Sequence, residues 1–339
     1  MRKAAGLGVA GTAGACVLLA LVALPSRVQS TPGRSDSQAA TSVRPQAPAD
    51  CGRVRAEGQA LVCADGTVFR WNGVTAFALL DHVADGRRTE ADAFMRWARA
   101  MGFNLVRVLA VAHHLFKLAP ADGRRHLDAL FSMAAARGLY VEIVAIADSG
   151  PLMMSPSRLR EQVEAVGRAA AAHPNAIVEI ANEHYHPTQS ADVHDVSVLR
   201  ELARGIPPGV LYTESAASED AALQPQGRFI TRHLSRAGTP PQMLDRLSLL
   251  GRLAVQSGKP VVSGEPIGAG ERDQPGRRLS DPVFFRDLAR RGLEAGLAGG
   301  TFHFEDGLLA RIPGPVQQAC ARAWVEGATI RAPRAPRRP

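Results

Sequence analysis

The sequence is poor in aromatic residues and in cysteine, and both shortages narrow the possible function classes. Phe, Trp and Tyr together make up 5% of the 339 residues, and there are 4 cysteines. No two cysteines have the CxxC spacing of a zinc site, and His184 and His186, two residues apart, have no third ligand nearby, so we expect no metal. We expect no cofactor either. No GxGxxG motif follows the first predicted strand, which argues against a dinucleotide-binding fold.

Strong local charge is also missing from the middle of the chain. The net charge is +8, but nine of the 40 basic residues lie near the two ends, at Arg2, Lys3, Arg27, Arg34, Arg44, Arg331, Arg334, Arg337 and Arg338. Without them the remaining sequence is close to neutral, so we expect no nucleic-acid partner. The chain has 46% hydrophobic and 21% charged residues, which is typical of a globular protein with a large core.

A long uncharged run occurs at the N-terminus. Arg2 and Lys3 precede it, and it covers residues 4–24. A charged start followed by an apolar run is the order of a secretory signal, whereas a span of about 20 residues is also long enough to serve as an uncleaved membrane anchor. We therefore interpret residues 1–30 as a signal peptide or anchor and expect a secreted or extracytoplasmic protein, with residues 4–24 as the tether if cleavage does not occur. Residues 31–50, rich in Ser, Pro, Ala and Gln, are predicted to be a disordered linker.

Two of the cysteines bracket a short segment at the start of the predicted folded part. Cys51 and Cys63 enclose Gly58 near the middle of that segment. In an exported protein this pattern predicts a disulfide that closes a small hairpin, and two reduced, buried thiols are the alternative. Cys320 is then left unpaired, and we expect it to be buried in a helix.

From Thr67 onward, strand-like and helix-like stretches alternate regularly. We predict eight strands, at 68–76, 103–109, 139–145, 177–181, 209–213, 228–231, 260–264 and 299–304. Eight strand and helix pairs in about 260 residues match the roughly 250 residues of a (β/α)8 TIM barrel, here with a short N-terminal hairpin. An open doubly wound sheet is the alternative fold. The predicted barrel domain covers residues 51–330, and residues 331–339 form a basic, disordered tail.

Two of the predicted strands end in a glutamate. The stretch IVEIANEHYH turns from apolar to polar at Asn182 and Glu183, and KPVVSGE ends at Glu265. The C-terminal ends of barrel strands converge on one mouth, so the two glutamates would face each other there. Glycosidic bond cleavage needs such a pair, because one carboxyl must be protonated and the other ionised. The alternative is that each glutamate is a solvated strand end or a salt-bridge partner.

The pair Asn182-Glu183 after the fourth strand, with Glu265 after the seventh, resembles the clan of retaining glycoside hydrolases with (β/α)8 barrels. That clan includes the cellulase-like family 5 enzymes. The resemblance implies that Glu183 is the acid/base, that Glu265 is the nucleophile and that Asn182 holds the sugar 2-hydroxyl. Arg107, near the end of FNLVRV, matches the arginine that the clan places beside its nucleophile.

The sequence departs from the family 5 pattern at three strand ends. The pattern has a histidine near the third strand end, where this chain reads Ala-Asp-Ser from Ala147. It has His-x-Tyr on the sixth strand, where His233 is followed by Leu-Ser, and a tryptophan on the eighth, where His303 stands between two phenylalanines. The substrate-binding residues that we predict are Arg107, Asn182, His113, His114, Tyr185, Tyr212, His233 and His303.

The scarcity of aromatic residues also bears on the substrate. Sugar rings stack on aromatic faces, and few such platforms are available here. The resemblance implies a retaining glycosidase that hydrolyses O-glycosidic bonds by double displacement, and the few platforms indicate a soluble oligo- or polysaccharide as its substrate. The alternative is a non-catalytic TIM-barrel protein that binds a glycan or a partner, since a fold alone does not determine function.

Overall fold

Eight parallel strand positions form a nearly closed barrel with helices between them. The computed structural model describes residues 51–111, 123–215, 217–218, 227–234, 239–265, 268–269 and 280–329. All of these residues belong to one unit of the chain, Pro45–Pro339. The predictions for the signal or anchor, the linker, the basic tail, His113 and His114 lie outside the described residues.

The elements follow one another in the predicted alternating order. The strands are β1 Arg55–Glu57, β2 Ala60–Val62, β3 Trp71–Thr75, β4 Leu105–Leu109, β5 Tyr140–Ile146, β6 Ala176–Ala181, β7 Tyr212–Ser215, β8 Ala217–Ser218, β9 Ile230–His233, β10 Val261–Ser263, β11 Gly268–Ala269 and β12 Gly299–Phe304. The α-helices are α1 Leu79–Ala84, α2 Arg88–Met101, α3 Gly123–Ala136, α4 Pro156–Ala172, α5 Ala191–His194, α6 Val196–Ala203, α7 Pro240–Ser257, α8 Pro282–Glu294 and α9 Pro315–Thr329. A 3₁₀ turn covers Asp306–Leu309.

The sheet order confirms the (β/α)8 barrel. The strands run β7-β6-β5-β4-β3-β12-β10-β9-β8, and every neighbouring pair on this path is parallel. β7 and β8 lie on either side of residue 216 and together take the fifth barrel position. β7 pairs with β6, and β8 pairs with β9. The open doubly wound sheet is therefore excluded.

Helix boundaries follow from local chemistry that the sequence carries. Ser155 accepts a hydrogen bond from the backbone N–H of Arg158, and Pro156 occupies the first turn of α4. Thr239 and Gln242 form a capping box at the start of α7, and Gly258 ends that helix in the left-handed conformation. These caps fix where each helix begins and where the chain turns back to the next strand.

A cluster of buried side chains closes the N-terminal end of the barrel, and we call it the bottom cluster. Its members are Cys51, Val54, Leu61, Cys63, Phe69, Trp71, Leu105, Tyr140, Ile177, Leu211, Phe229 and Val262. Several come from the first residues of barrel strands, and the others come from the antiparallel hairpin of β1 and β2 or from residues next to it. The hairpin therefore covers the end of the barrel that is opposite the mouth.

The hairpin is attached to the barrel by covalent and polar contacts. Cys51 and Cys63 form a disulfide, which confirms the predicted pairing. The Tyr140 hydroxyl donates to the carbonyl of Gly52 at 2.6 Å. The Arg53 guanidinium donates to the last carbonyls of α4, and the negative end of the helix dipole favours that cation. Cys320 is free and buried in α9, as predicted.

The fifth and sixth barrel strands begin later than the sequence indicated. The structure has β7 at Tyr212–Ser215 and β9 at Ile230–His233, instead of 209–213 and 228–231. Gly209 turns with a φ of +85°, and Leu211 fills the bottom cluster before the strand begins. The apolar residues at the start of these two predicted strands are buried, but they lie before the residues that pair in the sheet.

Within the described ranges, no helix combines the length and the hydrophobicity needed to cross a bilayer.

Candidate functional site

Glu183 lies two residues beyond the end of β6, on a sharp backbone turn. The backbone N–H of Asn182 still bonds to the carbonyl of Ile146, at 2.8 Å. Glu183 then adopts a φ of +40°, and its carbonyl accepts a hydrogen bond from the N–H of His186. A left-handed conformation costs a non-glycine residue about 1–3 kcal/mol and persists where the surroundings enforce it. The turn directs the partly buried carboxyl group of Glu183 toward the barrel mouth.

Glu265 follows β10 by two residues and is only 6% exposed. Its Oε1 forms an ion pair with Nη1 of Arg107. The preceding residue has to be small, because a Cβ at Gly264 would lie 2.7 Å from Cγ2 of Thr231 and 2.9 Å from Nε2 of His233. The Ser-Gly pair before Glu265 therefore lets β10 pass close to β9 at the mouth.

His233, the last residue of β9, lies between the two glutamates. Its Nδ1 is 2.9 Å from Oε1 of Glu183, and its Nε2 is 4.0 Å from Oε1 of Glu265. The imidazole is buried, and Nε2 makes no hydrogen bond within the described part of the chain. The carboxyl groups of Glu183 and Glu265 thus both lie next to one imidazole ring, each near a different ring nitrogen.

Arg107 is fully buried and contacts four acceptor groups. Its Nη1 pairs with Glu265, while Nη2 donates to Oε2 of Glu179 at 2.8 Å and to Oδ1 of Asn182 at 3.0 Å. Its Nε donates to the same Oε2 of Glu179 at 3.2 Å and lies 3.3 Å from Oε2 of Glu142. One guanidinium therefore holds the nucleophile candidate, the asparagine and two further glutamates together.

Charged neighbours shift the pKa values of Arg107 and Glu183 in opposite directions. Burial by itself would lower the pKa of Arg107, but the charges of Glu179, Glu265 and Glu142 outweigh burial and raise it. Arg107 is therefore a permanent cation. Burial would raise the pKa of Glu183, but the hydrogen bond and the charge of His233 outweigh it, so the pKa of Glu183 is lowered.

The remaining predicted residues lie at different distances from this group. The phenolic O–H of Tyr185 donates to Oε1 of Glu183 at 3.1 Å, and its side chain is 45% exposed. His303 lies near the end of β12, where its Nδ1 is 2.9 Å from the hydroxyl of Thr75 and its ring packs near Phe77. The ring of Phe77 in turn lies below the Arg107 guanidinium, 5.5 Å away. His303 is thus linked to the site through one aromatic ring.

Tyr212 does not belong to this group, which corrects the sequence-based assignment. The sequence predicts Tyr212 near the end of the fifth strand, but it is the first residue of β7, where it pairs with Val178 in the middle of β6. The neighbouring Leu211 belongs to the bottom cluster, whereas Tyr212 packs against the larger hydrophobic core, which is separate from that cluster. His113 and His114 lie outside the described residues.

In the described ranges, no set of three or more His, Cys, Asp or Glu side chains is placed to hold a metal ion.

Sequence reasoning missed Glu142 and Glu179. Each stands in the middle of an otherwise apolar strand, in LYVEIVA and IVEIA, and each is fully buried. A charged residue that interrupts a buried strand is the signal that would have found them, because such residues are almost never fully buried unless they are paired.

Comparisons with known proteins find similarity at the level of structure. No family model matches the sequence, and no curated protein sequence matches it significantly. A family 5 glycoside hydrolase from Bacteroides vulgatus superposes with a TM-score of 0.52 and 17% identity, covering 78% of this chain and 66% of that one. This chain therefore spans slightly less than two thirds of that protein.

Two further solved structures cover most of both chains. GH5_18 from Streptomyces cattleya, solved in complex with GlcNAc, has a TM-score of 0.58 and 17% identity over 78% of this chain and 82% of that one. The β-glucanase SdGluc5_26A from Saccharophagus degradans, in complex with cellotetraose, has a TM-score of 0.56 and 12% identity over 76% and 85%. This chain thus shares the barrel fold of family 5 glycoside hydrolases.

Proposed function

We propose that this protein is a retaining glycoside hydrolase in which Glu265 is the nucleophile and Glu183 is the acid/base. The observation that supports this most is the placement of the two carboxyl groups on either side of His233, at the C-terminal ends of β6 and β10. Barrel enzymes carry their catalytic groups at this end of the strands. The fold shared with glycoside hydrolases adds to the argument.

In the first step, the Glu265 carboxylate attacks the anomeric carbon of the sugar. The bond from that carbon to the leaving oxygen breaks, and the oxygen takes the proton of the Glu183 carboxyl group. Arg107 favours the ionised form of Glu265, because its opposite charge lies in direct contact. The product of the step is a glycosyl ester on Glu265.

In the second step, Glu183 acts as a base. It removes a proton from water, the water oxygen attacks the anomeric carbon, and the bond to Glu265 breaks. Two inversions at one carbon restore the original configuration. Asn182 keeps its amide N–H groups for a sugar hydroxyl, because its Oδ1 already accepts from Arg107.

The proton needed in the first step comes from the carboxyl group of Glu183. Because the pKa of Glu183 is lowered, the carboxyl is ionised at neutral pH in the resting protein. The protonated form of Glu183 is therefore favoured only at lower pH. We therefore expect the activity to be highest at acidic pH, where Glu183 carries the proton that the leaving oxygen takes.

A soluble oligo- or polysaccharide fits the mouth better than an insoluble polymer does. Among the Trp, Tyr and Phe residues in the described ranges, Tyr185 is the one whose side chain is more than a third exposed. One exposed ring beside the acid/base provides a single stacking platform. The structural neighbours solved with GlcNAc and with cellotetraose also make a carbohydrate the first substrate class to test.

The test is a screen of the purified full-length protein on aryl glycosides and soluble oligosaccharides between acidic and neutral pH. We expect hydrolysis of at least one sugar class, and proton NMR should show that the first product keeps the anomeric configuration of the substrate. An inverted first product would overturn the retaining mechanism. Binding of glycans without turnover would instead support the alternative of a non-catalytic glycan-binding barrel.

We further propose that the protein is exported through residues 1–30, followed by the linker 31–50, and that residues 4–24 tether it where cleavage does not occur. The disulfide between Cys51 and Cys63 is compatible with an extracytoplasmic location, because disulfides persist in oxidising compartments. The N-terminal peptide of the mature protein, identified by mass spectrometry, decides between the two. A mature chain that begins near residue 31 supports cleavage, and one that retains residues 4–24 supports anchoring.

A further inference from the structure

The cluster around Arg107 contains more carboxyl groups than one guanidinium can satisfy. Glu142 is fully buried, and neither of its oxygens has a hydrogen-bond partner in the described part of the chain. Its Oε2 lies 3.3 Å from Nε of Arg107, but that N–H is already donated to Oε2 of Glu179. Glu142 is therefore next to the cation without receiving a donor from it.

Charge counting makes an ionised Glu142 strongly unfavourable. Glu179 and Glu265 both pair with Arg107 already, so an ionised Glu142 would be a third carboxylate around one guanidinium and would itself receive no hydrogen bond within the described part of the chain. A buried charge without a partner or a hydrogen bond is among the most destabilising arrangements in proteins. A carboxylic acid avoids the charge, and its O–H is a donor, whereas a carboxylate only accepts.

We propose that Glu142 carries a proton in the resting protein, donates its O–H to Glu179, and thereby positions Arg107 against Glu265. The two Oε2 atoms of Glu142 and Glu179 approach the same nitrogen of Arg107, so they are neighbours. Burial raises the pKa of Glu142 well above its usual range. The Arg107 charge opposes the shift, while the charges of Glu179 and Glu265 add to it, as does the hydrogen bond that a protonated Glu142 can donate to Glu179.

Glu142 acts through its neighbours and does not touch the substrate. A neutral Glu142 leaves Nε and one N–H of Nη2 to Glu179, which fixes the plane of the guanidinium. Nη1 is then directed at Glu265, and the second N–H of Nη2 at Asn182. The catalytic part of this proposal rests on the proposed glycosidase function, whereas the protonation of Glu142 does not.

Infrared difference spectroscopy of the full-length protein without substrate tests the protonation. A protonated carboxyl group has a C=O stretching band that a carboxylate lacks. We expect this band at neutral pH in the wild type and its loss in Glu142→Gln. Glu214→Gln is the matched control, because Glu214 is also buried with a raised pKa, lies on β7 and has no contact with Arg107. An unchanged band in Glu142→Gln would overturn the proposal.

The pH dependence of stability gives a second readout that needs no activity. A carboxyl whose folded-state pKa is raised contributes stability at low pH, and this contribution is lost as the pH rises through the folded-state pKa. The melting temperature of the wild type should therefore fall relative to that of Glu142→Gln as the pH is raised from acidic to alkaline. A difference in melting temperature that is constant across pH would contradict the proposal.

The kinetic test compares two replacements at position 142 on any substrate that the wild type hydrolyses. Glu142→Leu removes the donor to Glu179, and we expect kcat to fall by about 10²-fold with little change in KM, as for a misplaced catalytic group. Glu142→Gln keeps a neutral donor and should restore most of that loss. Equal losses in both variants would mean that the negative charge of Glu142 is what matters, and this would overturn the positioning role.

Discussion

At the N-terminal end of the barrel, the hairpin of β1 and β2 covers a cluster whose buried groups are apolar or neutral. At the C-terminal end, the buried groups include the guanidiniums of Arg107 and Arg232 and several carboxyls. Burial raises the pKa of Tyr140 to about 12, so its hydroxyl stays neutral and donates to a carbonyl of the hairpin segment. Arg107, in contrast, is a cation with its carboxyl partners in direct contact.

The difference separates stability from activity. Apolar burial contributes about 25 cal/mol for each Å² removed from water, and the disulfide restricts the unfolded chain. Buried charges have a large desolvation cost and depend on good hydrogen-bond geometry to offset it. Changes at the bottom cluster should therefore lower the melting temperature and spare the rate, whereas changes at the mouth should lower the rate or shift its pH dependence, whether or not they also lower stability.

The largest effect should come from Glu265. Glu265→Gln removes the nucleophile, and we expect kcat to fall on every substrate by about 10⁵-fold or more, the order seen when covalent catalysis is lost. The measurement is turnover of a series of aryl glycosides whose leaving groups differ in acidity.

Glu183→Gln is the matched comparison for that series. The general acid contributes about 10²–10⁴-fold, so the first step should be slowed by this factor on poor leaving groups and spared on activated ones, which need little protonation. Equal losses on all leaving groups in both variants would contradict the division of roles between Glu183 and Glu265.

Arg107 should affect both the rate and the fold. Arg107→Met leaves buried carboxylates without their cation, which should destabilise the protein by about 3–5 kcal/mol. The acidic limb of the pH–rate profile should move upward, because an opposite charge in contact holds a carboxyl pKa down by about 1–3 units. Arg107→Lys keeps the charge but not the planar set of donors and should shift the limb less. An unmoved limb in both variants would show that Arg107 does not act on the nucleophile.

The disulfide should affect stability without affecting the rate. Cys63→Ser opens a loop of about 13 residues, and we expect a loss near 3 kcal/mol by thermal or denaturant unfolding. The rate at low temperature should stay close to that of the wild type, because the hairpin lies at the end opposite the mouth. A large loss of activity without a loss of stability would contradict this separation of the two ends.

The smallest effect should come from Tyr185. Tyr185→Phe removes the O–H that donates to Glu183, which is one of the contacts that lower the pKa of that carboxyl. The alkaline limb of the pH–rate profile should therefore move slightly upward. A lowered folded-state pKa also stabilises the protein above the unfolded pKa, and this contribution is lost as the pH falls through the folded pKa. The variant should accordingly lose less stability on acidification than the wild type does.

The barrel could be predicted from the sequence because apolar periodicity reports burial, and alternating buried strands and helices admit few folds. Glu183 and Glu265 could be found because each follows an apolar strand. The position of Tyr212 in its strand was wrong because the apolar residues before it are buried without pairing in the sheet, so the predicted strand began too early. Glu142 and Glu179 both contact Arg107 because of the stagger between neighbouring strands, and this stagger cannot be predicted from a single sequence.

The central claim is that the carboxyl pair at the mouth forms and breaks a glycosyl ester, and direct trapping tests it best. Aryl 2-deoxy-2-fluoro glycosides of the sugar class found active should slow the second step enough for the ester to accumulate. Intact-mass and peptide mass spectrometry should then show one added glycosyl group, located on Glu265. Turnover of the parent glycoside with a label on another residue, or with no label and an inverted product, would contradict the account.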